Sequence, residues 1–356
     1  MRRGNFISLF LSIEQLTYKP VAYICKISYR KKKLSDMVTK NNIKNPQKRL
    51  SVLLLILSFS FSLSTQIDKS VVDYAADTTL LKSNMQSIID FGYRNYKNPD
   101  VLDKTAYFIK EKFSALTDSV SEQSYTVNNH TYRNIICSFN TDKTERIIIG
   151  AHYDVYGDQD GADDNASAVV GLIRLAQLLK NKALDYQIDF VAYTLEEPPF
   201  FRTENMGSHV HATYLKENNI PVKGMICLES IGYFSNEKGS QTYSFPLHKL
   251  TMGTTGNYIL VVSRKEDGEF GKSITKGMKN AGLITTKSVK GLKRLKGVDL
   301  SDHRNYWKYG FPAVMITNTA YYRNKNYHRK LDTIDTIDFK RLSAVIHQLN
   351  LVIREL

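Results

Sequence analysis

Two stretches decide the fold: Arg146-Ile-Ile-Ile-Gly-Ala-His-Tyr-Asp154, and Gly161-Ala-Asp-Asp-Asn-Ala-Ser-Ala-Val-Val-Gly-Leu-Ile-Arg-Leu-Ala-Gln-Leu-Leu179 shortly after it. Arg146–Gly150 is a brief apolar run and reads as a buried strand. Ala166–Leu179 repeats its apolar residues at helical spacing and reads as an amphipathic helix. The same alternation continues on both sides. Downstream, Ile188–Leu195, Val222–Leu228, Tyr258–Val262 and Phe311–Ile316 read as strands, and Gly207–Leu215, Phe270–Ala281 and Phe339–Ile353 as helices. Upstream, residues 77–96 and 100–115 read as helices, and Ser121–Val127 and Tyr132–Phe139 as strands joined at the turn-prone Asn128-Asn129. Strands alternating with helices predict an α/β fold, a single three-layer domain with a mostly parallel central mixed sheet and helices on both faces. In such sheets a ligand site lies beyond the carboxyl ends of the strands.

Of 356 residues, 42% are hydrophobic and 24% charged, which excludes disordered and collagen-like classes. The net charge of +14 is unevenly placed. Residues 1–64 hold 12 of the 49 Lys and Arg but only 2 of the 35 Asp and Glu. The remainder carries 37 basic against 33 acidic side chains, so no footprint for nucleic acid is expected.

Leu50–Leu63 is uncharged, follows Lys40, Lys44, Lys48 and Arg49, and is followed by Ser64 and Thr65. A basic start, a short apolar run and small residues after it describe a signal peptide over residues 37–64. The run is short beside the ~20 residues a membrane span needs, so a retained anchor is the second reading. Residues 1–36 read as an upstream extension rather than a domain, with translation starting at Met37, and residues 65–356 as the working domain. Export to the periplasm or medium is expected, with membrane contact only through residues 50–63 if they are kept. Cys25 lies in the leader; Cys137 and Cys227 sit in apolar strand runs and read as buried thiols, with a single disulfide left open.

The unusual polar residues fall where strands end. His152 and Asp154, two apart on extended chain, face the same way, which suits a ligating imidazole backed by a carboxylate. Asp163-Asp164-Asn165, between small residues before a buried helix, exceeds what capping needs. Glu196-Glu197 closes an apolar strand, where adjacent carboxylates repel unless a cation is near. Glu229 ends the next strand; Ser301-Asp302-His303 and Tyr327-His328-Arg-Lys-Leu-Asp332 follow later. Nitrogen and oxygen ligands without cysteine suit zinc in a catalytic site, and so a metal hydrolase.

The ordered series AHYD, GADDNAS, EE, GS, LE, SDH and YHRKLD resembles the M28 zinc peptidases, the dinuclear aminopeptidase-like group, from about residue 90 to 350. The resemblance implies a zinc-dependent exopeptidase fold and two Zn²⁺ per chain, with peptides or small aminoacyl compounds as substrates. It makes His152 and Glu229 ligands of the first zinc, Glu197 and His328 ligands of the second, and Asp164 the bridge. Glu196 becomes the general base and Asp154 the carboxylate that orients His152. Asp302, His303, Asp332, Tyr321 and Tyr322 are candidates for supporting or substrate contacts. The peptide bond after Asp164 is expected to be cis, as in relatives. Some relatives carry an oxyanion-stabilising tyrosine upstream of SDH where this chain has Val298, which shifts that task to zinc or His303. Pro198–Met206 is longer than in simpler relatives and is expected at the pocket rim with Phe200 and Phe201.

Two alternatives share the fold: a single-zinc glutaminyl cyclase, and a non-catalytic binding ectodomain. Cyclases resemble GATDSAVP where this chain has GADDNASA, which favours the hydrolase. His209 and His211, two apart on a helix, point apart and are expected to be solvated or half-buried rather than a metal pair. Lys287, Lys290, Lys293, Arg294 and Lys296 read as a solvated loop.

Overall fold

The computed structural model describes residues 74–245, 247–291 and 298–356. The expected leader, its anchor alternative and Cys25 lie outside these residues, as do Lys293, Arg294 and Lys296. Two helices come first, α1 (Tyr74–Asp90) and α2 (Pro99–Ser114). The hairpin of β1 (Val120–Val127) and β2 (His130–Phe139) follows. Asn128 and Asn129 turn it with φ of 50° and 62°, the left-handed pair that matches strand twist. Then come β3 (Arg146–His152), α3 (Ser167–Leu179), β4 (Gln187–Tyr193), α4 (Gly207–Glu217) and β5 (Val222–Glu229). The remainder is α5 (His248–Met252), β6 (Ile259–Arg264), α6 (Gly268–Ala281), β7 (Thr286–Gly291), α7 (His303–Lys308), β8 (Ala313–Thr317) and α8 (Phe339–Ile353).

The eight strands form one mixed sheet in the order β1-β2-β4-β3-β5-β8-β6-β7. β3 runs parallel to β4 and β5, β5 to β8, and β6 to β7, whereas β1–β2, β2–β4 and β6–β8 are antiparallel. β4 is buried at every position, as a central strand covered on both faces must be. Strand alternation separates two cores. Ile147 and Ile149 pack with α3 and α8 on one face, while Ile148 packs with Ala212 and Leu215 of α4 and Tyr306 of α7 on the other. The described residues thus form one three-layer α/β domain. Among them no helix is long and apolar enough to cross a membrane.

Three elements depart from the periodicity reading. Residues 286–291 are an edge strand instead of a solvated loop, and the Lys287 ammonium bonds the Met252 carbonyl and lies 4.0 Å from the Tyr258 ring centroid. Lys287 and Lys290 charge this edge strand, as edges are commonly protected, and they conceal the strand pattern. The short α5 and α7 are the other two, each too brief to show a helical repeat. His209 and His211 are buried rather than solvated, and no metal pair forms: His211 Nδ1 lies 2.6 Å from the Tyr306 hydroxyl, and His209 Nε2 lies 3.0 Å from that of Tyr309. Cys137 and Cys227 are buried and free.

Gly207 ties the GS motif to the end of β4. A Cβ there would lie 2.1 Å from Asn134 Oδ1 and 2.7 Å from the Thr194 carbonyl. Asn134 donates to the Gly207 carbonyl and accepts from Thr194 N–H, so α4 starts pressed against the end of β4.

Candidate metal centre

Topology assembles the site. β4, β3 and β5 are parallel neighbours, so their carboxyl ends lie side by side. His152 is the last residue of β3 and Glu229 the last of β5; Glu196-Glu197 come just past β4. Asp164 lies in the irregular turn Ala162–Ala166 that leads into α3, and its peptide bond to Asn165 is cis. His328 comes from the loop after β8, the other neighbour of β5, and has φ of 57°.

The side chains meet. His152 Nε2 lies 3.4 Å from Glu229 Oε2, 3.5 Å from Asp164 Oδ1 and 3.9 Å from Glu196 Oε2. His328 Nε2 lies 3.1 Å from Asp164 Oδ2 and 3.3 Å from Glu197 Oε2. Asp164 therefore stands between the two imidazoles, one oxygen toward each. Ligand atoms of His152, Asp164 and Glu197 all fall within 4.8 Å of one another.

Each acid is held by something else. Asp154 accepts from Glu196 N–H at 3.1 Å with Oδ1 and from Glu197 N–H at 3.0 Å with Oδ2, and its Oδ1 is 3.4 Å from His152 Nδ1. One carboxylate thus sets both the histidine and the two-glutamate loop. Asp332 accepts from the N–H groups of Asp163 and Asp164, which makes it the brace of the cis turn. Asp163 takes the N–H groups of Gly232 and Tyr233 and the amides of Asn318 and Asn324. Asn165 ties the turn to the end of β5 through the Leu228 carbonyl and Ser230 N–H. Glu229 accepts from the hydroxyls of Ser230 and Ser301. Beneath lies Arg94, 1% exposed, donating to the carbonyls of Tyr153 and Gly161.

The electrostatics call for a cation. Burial, with the Asp164 charge beside it, pushes the Glu197 carboxyl up to about 8. Burial also lifts Glu196 well above the carboxylate range, with Glu197 and Glu229 adding to it against His152. Asp164 is driven down instead: burial is outweighed by its bonds to His152 and His328. Burial lowers the His328 imidazole, but Asp164 and Glu197 prevail and raise it to about 10. Asp164 Oδ2, Glu197 Oε1 and His328 Nε2 are buried without a hydrogen-bond partner. Asp164 Oδ2 and His328 Nε2 are in ion-pair contact at 3.1 Å without a hydrogen bond, and buried charged atoms lacking hydrogen bonds are costly, a cost that metal coordination relieves. The donors are nitrogen and oxygen only, so the residues fit zinc.

The remaining candidates separate. Asp302 is fully buried with neither oxygen hydrogen-bonded, and burial pushes it up to about 7, opposed by the nearby His152. His303 turns elsewhere: Nε2 bonds the Val298 carbonyl at 2.8 Å and the ring meets Trp307 edge-on. Tyr321 and Tyr322 do line a cavity that opens beside Glu229, with Met252, Leu260, Val298 and Met315 as apolar walls. Phe200 is buried and edge-on to Tyr96, and Arg202 and Arg304 lie over Phe201. Arg94 and Tyr156 go unremarked in the sequence, while Asp163 and Tyr327 stand there only as members of GADDN and YHRKLD with no role of their own. A lone arginine or tyrosine such as Arg94 or Tyr156 has no periodicity to betray it.

Residues 134–352 match Peptidase family M28. The chain is 38% identical over 261 residues to the uncharacterized protein YfbL of Escherichia coli (strain K12), covering 71% of this chain and 80% of that one. It is 26% identical over 280 residues to a probable leucine aminopeptidase of Trichophyton verrucosum (strain HKI 0517), covering 74% and 68%. Among solved structures, the LapA aminopeptidase of Legionella pneumophila aligns with a TM-score of 0.62 at 18% identity, over 77% of this chain and 70% of that one. A glutaminyl cyclase of Fimbriiglobus ruber aligns at 0.60 and 19%, over 78% and 95%. The two structures share the fold; the match along the sequence goes further, and this chain belongs to peptidase family M28.

Proposed function

We propose that this chain is an exported zinc aminopeptidase. The observation that carries the reading is the convergence of His152, His328 and three further acids, Glu196, Glu197 and Glu229, around Asp164 beside an apolar cavity. His152, Asp164 and Glu229 would hold one zinc, and Asp164, Glu197 and His328 a second. Zinc bound there would lower the pKa of a water toward ~7 and polarise the scissile carbonyl. Among the acids facing His152, Glu196 is the most distant at 3.9 Å, which leaves it free for proton transfer. Glu196 takes a proton from the attacking water as its oxygen bonds the carbonyl carbon. It returns that proton to the departing amine as the C–N bond breaks. The first side chain of the peptide would enter the cavity of Tyr321 and Tyr322, which favours apolar residues. Residues 37–64 would direct export, either cleaved or retained as an anchor.

Zinc stoichiometry measured with a panel of aminoacyl anilides and N-terminal glutamine peptides tests this. Near two zincs with anilide cleavage is expected; one zinc with ring closure would instead make the chain a glutaminyl cyclase. Glu196→Gln should lower kcat about 10²–10⁴-fold with zinc retained, whereas Glu197→Gln should lose zinc. Near-normal turnover in zinc-replete Glu196→Gln would remove the general base from this position.

A further inference from the structure

Two guanidinium groups share the ring of Phe201, in the loop that also carries Glu196. Arg202 and Arg304 lie 5.4 and 5.7 Å from its centroid. Only one of the two is spent: Arg202 donates to both oxygens of Asp299, at 3.0 and 3.1 Å. Arg304 is half-buried in the first turn of α7, and its guanidinium makes no hydrogen bond or ion pair with any described residue. Its Nε is shut from solvent without a partner. A charge held so is costly until an anion meets it. Burial lowers the Arg304 pKa and the like charge of Arg202 adds to this, while the carboxylates of Asp299 and Glu196 oppose it, so Glu196 is within electrostatic reach. The position is fixed by the neighbouring residue. Asn305 donates to the Ser208 hydroxyl at 2.8 Å, which pins α7 to the start of α4 and so to the end of β4. The apolar cavity lies the other way along the sheet, walled by Leu260 of β6 and Met315 of β8 beyond β5.

Glu196 hands its proton to the departing amine, so a group beside Glu196 faces the residue that leaves. In a dipeptide that residue bears a free carboxylate on the same carbon as the amine. We propose that Arg304 binds this carboxylate, so that the chain favours dipeptides with a free C-terminus over amidated or longer peptides. The proposal rests on the aminopeptidase reading above. A planar guanidinium suits the task because it can meet both oxygens of a carboxylate at once, and Phe201 supports its face.

The test compares leucyl-leucine, its C-terminal amide and leucyl-glycyl-glycine on the zinc-loaded enzyme, wild type and Arg304→Gln. The wild type should prefer the free dipeptide to its amide by at least about tenfold in kcat/KM. Arg304→Gln should lower kcat/KM on the dipeptide about 10–10²-fold, the usual loss for a hydrogen bond to a charged group. On the amide and the tripeptide, which place no carboxylate there, the change should stay within about threefold. A guanidinium that only packs on Phe201 would lower all three alike. Equal losses on all three substrates, or a wild type that treats acid and amide alike, would overturn the proposal and leave the aminopeptidase reading standing. So would a preference for leucyl-glutamate amide over leucyl-leucine, since Arg304 would then read a side chain. A zinc-loaded wild type that cleaves no peptide and no aminoacyl anilide would overturn both.

Discussion

Asp154→Asn exchanges one carboxylate oxygen for an amide group at a position that is 2% exposed. Both oxygens now accept backbone N–H groups, from Glu196 at 3.1 Å and Glu197 at 3.0 Å. An asparagine can accept only one of them and turns its NH2 against the other, donor facing donor. A hydrogen bond to a charged group is worth ~1.5–3 kcal/mol. The surviving bond becomes neutral and loses about half its strength. The expected cost is therefore ~3 kcal/mol. A domain of this length unfolds with roughly 0.6 kcal/mol/K of entropy, so the melting temperature should fall by ~5 °C. Catalysis should suffer more than stability, since the residues displaced are the two glutamates themselves; a shift of ~1 Å at reacting groups costs on the order of 10²-fold. Calorimetric melting at fixed zinc, paired with anilide turnover, reads both effects. An Asp154→Asn protein that melts within a degree of wild type and keeps its turnover would refute the argument that this carboxylate sets the glutamate loop.

Two further outcomes concern the scaffold. Gly150→Ala would place a Cβ 2.3 Å from the Tyr193 ring, whose hydroxyl is anchored in a buried chain to Tyr306 and His211. The ring cannot swing aside, so a loss of ~2–3 kcal/mol is expected by chemical denaturation, and an unchanged midpoint would show that β4 yields instead. Asp77 joins α1 to Arg174 of α3 and to Ser343 and His347 of α8; burial raises its carboxyl, but bonds from His347, Ser343 and Arg174 prevail and hold it at about 2. Because the folded value lies below the unfolded ~3.9, this stabilisation is present above that pH and lost as pH falls toward 2, about 2–3 kcal/mol in all. The stability advantage of wild type over Asp77→Asn should accordingly shrink between about pH 5 and pH 2; a constant advantage would show that the charge of Asp77 contributes nothing.

Much of this site is legible along the chain because its parts are local. Strand identity follows from apolar runs such as Ile147–Ile149, and the acids and histidines stand out by closing those runs. The ordered series of short motifs then points to family M28, which the family match bears out. That residues so far apart touch is anticipated from their places at strand carboxyl ends, and the resemblance assigns each its role. Physically it follows from the sheet order, which sets β4, β3 and β5 edge to edge with their carboxyl ends together.

Other features have no local trace. The lysine-rich strand β7 reads as loop because its charge serves the sheet edge, and what makes it a strand is its pairing with β6. Arg94 is one arginine among many until Tyr153 and Gly161 turn their carbonyls to it. Tyr327 and Tyr321 are close in sequence and alike in type, yet the first stacks on His328 among the acids while the second is exposed at the cavity wall. The sequence by itself determined most of the strands and helices, though not β7, α5 or α7, and which residues bear the metal chemistry, because burial periodicity and side-chain type are properties of short stretches. Only the tertiary structure decided which backbone donors are already spent on Asp154 and Asp332, because hydrogen-bond satisfaction is settled between residues that the chain keeps far apart.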